Sequence, residues 1–390
     1  MFVDEETLRR SERRGVSVPA RLAGPKPLTP AQLGTRRSNL SFAGAQPSPA
    51  EYERFVGDND LVDEFYLERA LVAARPVCRL IVRTQSGREL GYATGFLVSP
   101  RLLITNWHVF RTRDEAANAV AEFDFKLDIR GNPLPSYRFA LRPDRFYHSN
   151  QDLDYALVAV DPVSMDDQTT ELSSFGYHRL LGEPGKIWEG EWITIIQHPG
   201  GQRRQFSIRE NQLTKKLEEY LWYVSDTAQG SSGAPAFNDS FQVVALHHMG
   251  RAKKEGGRYV LKDKRTVASL DGIDDSEVVW EANEGLRVSV LCADMASALP
   301  SGDEYVSELF EAMNGGDVMS KAVGGAVNVV HPEAIAVRAD GSPNGIVVPL
   351  QLHVALSYGA PASAVAVAMP VAGAGKEPDG PGNDRDQVHA

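Results

Sequence analysis

The feature that most constrains this chain is a series of roughly ten short β-type runs between residues 78 and 293, set apart by turn residues and broken by few helical patterns. They read "CRLIVRT", "GYATGFLVS", "RLLITNWHV", "DYALVAV", "EWITIIQHP", "RQFSIRE", "YLWYVSD", "APAFN", "FQVVALHHM", "RYVLKD" and "LRVSVL", with "GG", "PGG" and "NDS" at the breaks. Strands this short and closely spaced must close on themselves or pack as two sheets, so the fold class is all-β and antiparallel.

The flanks behave differently. Residues 1–75 read as a flexible, Pro-, Arg- and Ser-rich arm ending in a helix, "NDLVDEFYLERALVAARPV", in which Leu61, Phe65, Leu67, Leu71 and Val72 recur at helical spacings. Residues 76–300 hold the strands and a first C-terminal helix at "ADMASAL". Residues 301–358 form a C-terminal extension: a helix at "SGDEYVSELFEAMNGG", where Ser301 and Glu304 make a capping-box pattern, then an alternating strand, "IVVPLQLHVALSY". Residues 359–390 are Ala-, Pro- and Gly-rich, then polar, and read as a disordered tail.

Composition narrows the function classes. With 41 basic against 52 acidic side chains, the net charge of -11 argues against general polyanion binding, and no nucleic-acid partner is expected. A local basic patch remains at Arg9, Arg10, Arg13, Arg14, Arg36 and Arg37. The two cysteines, Cys78 and Cys292, sit in apolar runs and read as buried thiols. The charged start "MFVDEETLRRSERR" and the lack of a long apolar stretch argue against a leader or membrane span, which makes a cytoplasmic location the expectation.

Acyl transfer by a serine needs a base, a carboxylate that orients the base, and backbone N–H donors for the oxyanion. In "QGSSGAP" the glycine two positions before Ser232 allows a tight turn in which the N–H groups of Gly230 and Ser232 converge, though a Gly/Ser cluster alone reads as a surface turn. "RLLITNWHV" reads as a strand ending in His108, whose ring then projects where the strand opens into a loop. Asp154, at the entrance of "YALVAV", competes with Asp152, but Asp154 alone abuts the apolar run and is the one to be buried.

The chain order His108, Asp154, Ser232 within an all-β region is the order of the chymotrypsin-type triad. On "TNWHV", "DYAL" and "GSSGAP" the chain resembles chymotrypsin-fold serine peptidases of the bacterial trypsin-like type, from about residue 78 to 300. That resemblance implies two six-stranded β-barrels, a triad of His108, Asp154 and Ser232 in the cleft between them, an oxyanion hole of the Gly230 and Ser232 N–H groups, no cofactor, and a protein or peptide as substrate. The position directly before the nucleophile is Ser231 rather than an aspartate, so the ion pair that activates trypsin has no equivalent here.

The resemblance gives two readings of specificity. Asp226, six positions before Ser232, matches the carboxylate that binds Arg or Lys in trypsin, whereas Thr227 and His247 match the acidic-side-chain pocket of glutamyl endopeptidases. An acidic P1 residue is slightly favoured, and Met249 and Gly250 offer the edge along which a substrate backbone pairs. The other reading of the neighbouring pair His247 and His248 is that one packs under the cleft while the other faces solvent. The remaining histidines lack metal-ligand spacing, so no metal is expected. The rival functions are a catalytically silent binding protein on a protease fold, and a protease effector of a multicomponent bacterial signalling or defence system, with a regulatory protein partner engaging the N-terminal arm or the C-terminal extension.

Overall fold

The computed structural model describes Thr29 and residues 63–208, 211–225 and 230–320. Nearly all of the arm, the alternating strand 346–358 and the tail 359–390 therefore lie outside the described residues.

Two seven-stranded antiparallel sheets form the body. The first is built from β1 (Val77–Arg83), β2 (Glu89–Leu97), β3 (Leu102–Thr105), β4 (Val120–Phe123), β5 (Tyr137–Ala140), β6 (Tyr147–Asn150) and β7 (Tyr155–Ala159). Their order across the sheet is β5-β4-β1-β2-β3-β7-β6. The second comprises β8 (Thr194–Gln197), β9 (Gln205–Ser207), β10 (Leu213–Lys216), β11 (Tyr220–Tyr223), β12 (Pro235–Phe237), β13 (Val243–Ala252) and a last strand (Trp280–Arg287). Between β13 and that last strand, the basic stretch from Lys254 to Val267 folds into a separate small sheet of β14 (Lys254–Glu255), β15 (Arg258–Val260) and β16 (Thr266–Val267), so the last strand is β17. The second sheet runs β10-β11-β17-β13-β12-β8-β9. Each sheet thus has one strand more than the six expected, and antiparallel bridges, Leu141 with Val160 beyond β5 and β7 and Trp192 with Gln212 ahead of β8 and β10, link its outer strand back across the sheet.

Strands β3 and β7 of the first sheet are apolar at nearly every position because both of their faces are buried. In β7, Tyr155, Leu157 and Ala159 join the core shared with the second sheet and the helices, while Ala156 and Val158 join the core of the first sheet with Leu80, Leu97, Phe123 and Phe139. The period of two is present, but both positions are filled with apolar residues. A third core, with Ile193, Ile195, Leu213, Tyr223 and Ala245, fills the second sheet.

Three helices brace this body, and local expectations fail at each. In α1 (Glu64–Ala73) the buried face is Tyr66, Ala70 and Ala73, while the expected Leu67 and Leu71 are 53% and 62% exposed. Tyr66 packs on Phe241 in the shared core, and the two alanines let the rest of that face lie close against it. Only the first two residues of "LRVSVL" are strand, closing β17 over "WEANEGLR"; the rest of the apolar run opens helix α3 (Val288–Ala298), which buries Val288, Leu291, Cys292 and Met295. The cap of α4 (Glu304–Asn314) is Asp303, whose carboxylate accepts from the N–H groups of Tyr305 and Val306, in place of the expected Ser301 box. A short helix, α2 (Arg113–Ala117), follows the loop that carries His108. β3 ends at Thr105, so His108 sits in the turn beyond the strand and not at its end.

Candidate active site

The turn after β3 is pinned at its base. The N–H groups of Val109 and Phe110 donate to the Asn106 carbonyl, and the Asn106 amide donates to the Asp154 carbonyl at 3.0 Å. This brings the His108 backbone and ring to one carboxylate. The His108 N–H donates to Asp154 Oδ1 at 2.9 Å, and Nδ1 lies 2.8 Å from Asp154 Oδ2. Asp154 is buried, and Asp152 stays exposed in the preceding turn. Asp154 also holds a left-handed φ of 56°, uncommon for a residue other than glycine, and this kink aims its carboxylate at His108 as the chain enters β7.

Burial opposes ionisation of Asp154, but charge and hydrogen bonds from His108, with further bonds from His248, outweigh it and hold the carboxyl well below the usual range. The second imidazole was not anticipated. His248 and His247 are both buried, so neither faces solvent. His248 Nδ1 lies 2.7 Å from Asp154 Oδ2, and its Nε2 lies 2.9 Å from Glu284 Oε1 on β17. The other Glu284 oxygen accepts from Trp222 Nε1 at 2.6 Å. Nothing in "WEANEGLR" sets Glu284 apart from Glu281 and Asn283 until the register places it beside His248.

Ser232 lies on the turn before β12, in the second sheet, and is half-buried. Thr94 on β2 holds that turn from the first sheet: its N–H donates to the Ser232 carbonyl at 2.9 Å, and its hydroxyl donates to the Gly230 carbonyl at 2.7 Å. Gly230 and Gly233 take φ values of 95° and 86°, which only glycine adopts readily. The N–H groups of Gly230 and Ser232 make no hydrogen bond among the described residues. Ser232 Oγ makes a long contact, 3.5 Å, with the carbonyl of His248, and no hydrogen bond joins it to His108 among the described residues. Ser232 is therefore one residue away from the carboxylate that orients His108.

The residues expected to set specificity divide. Asp226 and Thr227 lie outside the described residues. His247 Nδ1 lies 2.8 Å from the Tyr223 hydroxyl, and burial, reinforced by the nearby charges of His248 and His108, pushes its pKa down to about 3, so the ring is neutral. Met249 and Gly250 pair with Glu284 and Asn283 of β17 on one side, and β12 pairs with β13 only as far as Leu246 on the other. Among the described residues, the second edge of β13 from His248 onward meets no strand. Met249 itself is buried, and Gly250 lies under the Trp280 ring, so what they present along that edge is backbone.

Among the described residues, His108, Asp154 and His248 are the group whose ligand-type atoms cluster, all within 4.8 Å. Both ring Nδ1 atoms lie within hydrogen-bond distance of one carboxylate oxygen, Asp154 Oδ2.

Comparison with known proteins bears on the same region. Residues 93–246 match the family model described as the trypsin-like peptidase domain, and the two sheets with their C-terminal helices are a chymotrypsin-like fold. The chain is 39% identical over 315 residues to the Sinorhizobium fredii protein y4fB, an alignment that takes in 76% of this chain and 47% of that protein. It spans about half the length of that relative. Among solved structures it is similar to the active form of the Rv3671c protease of M. tuberculosis, at 16% identity and a TM-score of 0.39, covering 66% of this chain and 89% of that one. It is also similar to the serine endoprotease from Yersinia pestis, at 13% identity and a TM-score of 0.40, covering 62% and 70%.

Proposed function

We propose that the protein is a serine endopeptidase in which Ser232 attacks the scissile carbonyl, His108 takes the hydroxyl proton and returns it to the leaving amine, and Asp154 fixes the tautomer of His108. The observation that carries this reading is the double grip of Asp154 on His108, through ring and backbone together, at 2.8 and 2.9 Å. A carboxylate bonded to Nδ1 leaves Nε2 as the lone pair that can accept a proton. The N–H groups of Gly230 and Ser232 would receive the oxyanion, and no cofactor takes part. The long Ser232 contact fits a resting site, since such bonds tighten when substrate arrives.

Protein chains are the substrate, entering as an added strand along the second edge of β13. An acidic P1 residue is preferred. With the Tyr223 hydroxyl donating to Nδ1 of the neutral His247, its Nε2 keeps the proton and can donate to a carboxylate. No helix among the described residues is long and apolar enough to cross a membrane. A cytoplasmic location and a regulatory partner on the arm or extension belong to the proposal.

The test is cleavage of an unbiased peptide library by the full chain, with Ser232→Ala as control. Cuts after Glu or Asp that vanish in the variant are expected. Cuts after Arg or Lys would transfer the specificity role to Asp226. A chain that neither cuts peptides nor reacts with a fluorophosphonate probe would instead be a silent binding protein on a protease fold.

A further inference from the structure

We propose that His248 is a positioning residue of this site: its ring, clamped between Asp154 and Glu284, is a resident cation that fixes the Asp154 carboxylate and ties it to the strand along which substrate would lie. The proposal rests on the reading of Ser232 as the nucleophile.

Hydrogen-bond chemistry leads to the charge. Nδ1 of His248 faces Asp154 Oδ2 at 2.7 Å and Nε2 faces Glu284 Oε1 at 2.9 Å. Carboxylates accept, so both ring nitrogens donate, and a ring that donates twice is an imidazolium. The local charges close without protonating either acid: two carboxylates meet the imidazolium and the Arg251 guanidinium, which lies 3.8 Å from Glu284 Oε2 and stacks on Trp222. The groups facing the ring are Asp154 and, beyond it, His108 from the first sheet, Glu284 from β17, Arg251 and the neutral His247 from β13 itself, and Tyr220 from β11. Burial resists the charge, but the bonds to Asp154 and Glu284 overcome it and raise the His248 pKa to about 9.

The consequence for the site is twofold. A hydroxyl could bond Asp154 alone, whereas the imidazolium donates from opposite sides of one rigid ring and so ties Asp154, at the start of β7, to Glu284 on β17. Its charge, in the cluster whose ligand-type atoms on His108, Asp154 and His248 lie within 4.8 Å of one another, also resists uptake of a further proton around Asp154. The carbonyl of the same residue touches Ser232 Oγ, so the positioning cation and the nucleophile share one backbone unit.

The experiment reads charge and reactivity separately in the full chain. Imidazole nitrogen resonances, assigned with His248→Asn, are expected to show both His248 nitrogens protonated at pH 7.5 and to titrate near 9. One unprotonated nitrogen at pH 7.5 overturns the proposal. Glu284→Gln, which keeps shape, is expected to bring that titration down towards the ordinary histidine range, and an unmoved titration counts against the clamp. For reactivity, the rate at which a fluorophosphonate labels Ser232 is followed against pH. In His248→Asn the acidic limb is expected to rise by about one pH unit. A lowered plateau with an unmoved limb would make His248 a packing residue only. A wild-type chain that resists the probe overturns the positioning role together with the reading of Ser232, while the resonances still decide the charge.

Discussion

His108 and Asp154 hold each other through a side-chain carboxylate at 2.8 and 2.9 Å, with His248 bonded to the same carboxylate at 2.7 Å. Gly230 and Ser232 are held through their carbonyls by Thr94, a residue of the opposite sheet, and by the absence of side chains where the chain turns. The first half of the site is a set of charges satisfied by one another; the second is a neutral backbone shape. The two halves are therefore exposed to different damage, and that difference can be measured.

The largest effect is expected on the charged half. Asp154→Asn keeps the shape but removes the acceptor that fixes His108, and should lower kcat by on the order of 10³- to 10⁴-fold. It also strips a partner from His248, so the loss should not be recovered at any pH. A variant with near-normal kcat would show that Asp154 does not orient the base.

On the neutral half, Gly230→Ala should cost about 10²- to 10³-fold in kcat, the scale of losing one oxyanion donor. A Cβ there would lie 2.6 Å from the His198 carbonyl and 3.0 Å from the Gly201 N–H, and the residue would have to hold a φ of 95°. The peptide must rotate to escape, which turns the Gly230 N–H away. Circular dichroism should remain that of the wild type, whereas Gly233→Ala, whose Cβ would sit 2.1 Å from the Thr94 carbonyl, should also lose soluble yield.

Alkaline pH should reach only the charged half. The folded pKa of His248, about 9, stands above the unfolded value near 6.5, so its contribution is fully present below 6.5 and is lost as pH rises through 9. The shift corresponds to an upper limit of roughly 3 kcal/mol. His198 and His247, both pushed down to about 3 by burial, are already neutral in this window. Lys186, lowered by burial to about 8, and Lys216, also lowered, work in the opposite sense and gain stability as pH rises. The measurement is accordingly a difference: chemical unfolding of wild type against His248→Asn from pH 6.5 to 9.5, with the gap closing as pH rises. A constant gap would mean that His248 is neutral in the fold.

The same contrast explains what could be read from the sequence. His108 and Asp154 stand in short motifs beside apolar strands, where local pattern carries the information, and the all-β organisation followed from strand spacing. His248 and Glu284 meet only through the β13–β17 register, which has an irregularity between His247 and Met249. Composition gives no hint of that pairing. Thr94 looked like any strand threonine, because its role depends on a turn well over a hundred positions later. The exposed leucines of α1 and the strand expected at "LRVSVL" mislead for one reason: apolar content does not say which neighbour arrives, and there the neighbour was a close-packed sheet or a helix start.

Thr94→Val gives the smallest expected effect and the finest probe of the neutral half. The threonine hydroxyl donates to the Gly230 carbonyl at 2.7 Å and accepts from the His198 N–H at 3.0 Å, so one oxygen links the Ser232 turn to the 199–201 turn. Valine keeps the volume but leaves a buried carbonyl and a buried N–H unpaired, a loss of about 1–3 kcal/mol in stability. A looser turn should lower kcat by roughly tenfold with little change in KM, because the donors matter most to the charge that develops in the transition state. Thr94→Ser keeps the oxygen and should retain most of the rate. Equal losses in both variants would assign the turn to packing of the Thr94 methyl rather than to its hydroxyl, and the contrast between a charged half and a backbone half would then lose its hydrogen-bonded link.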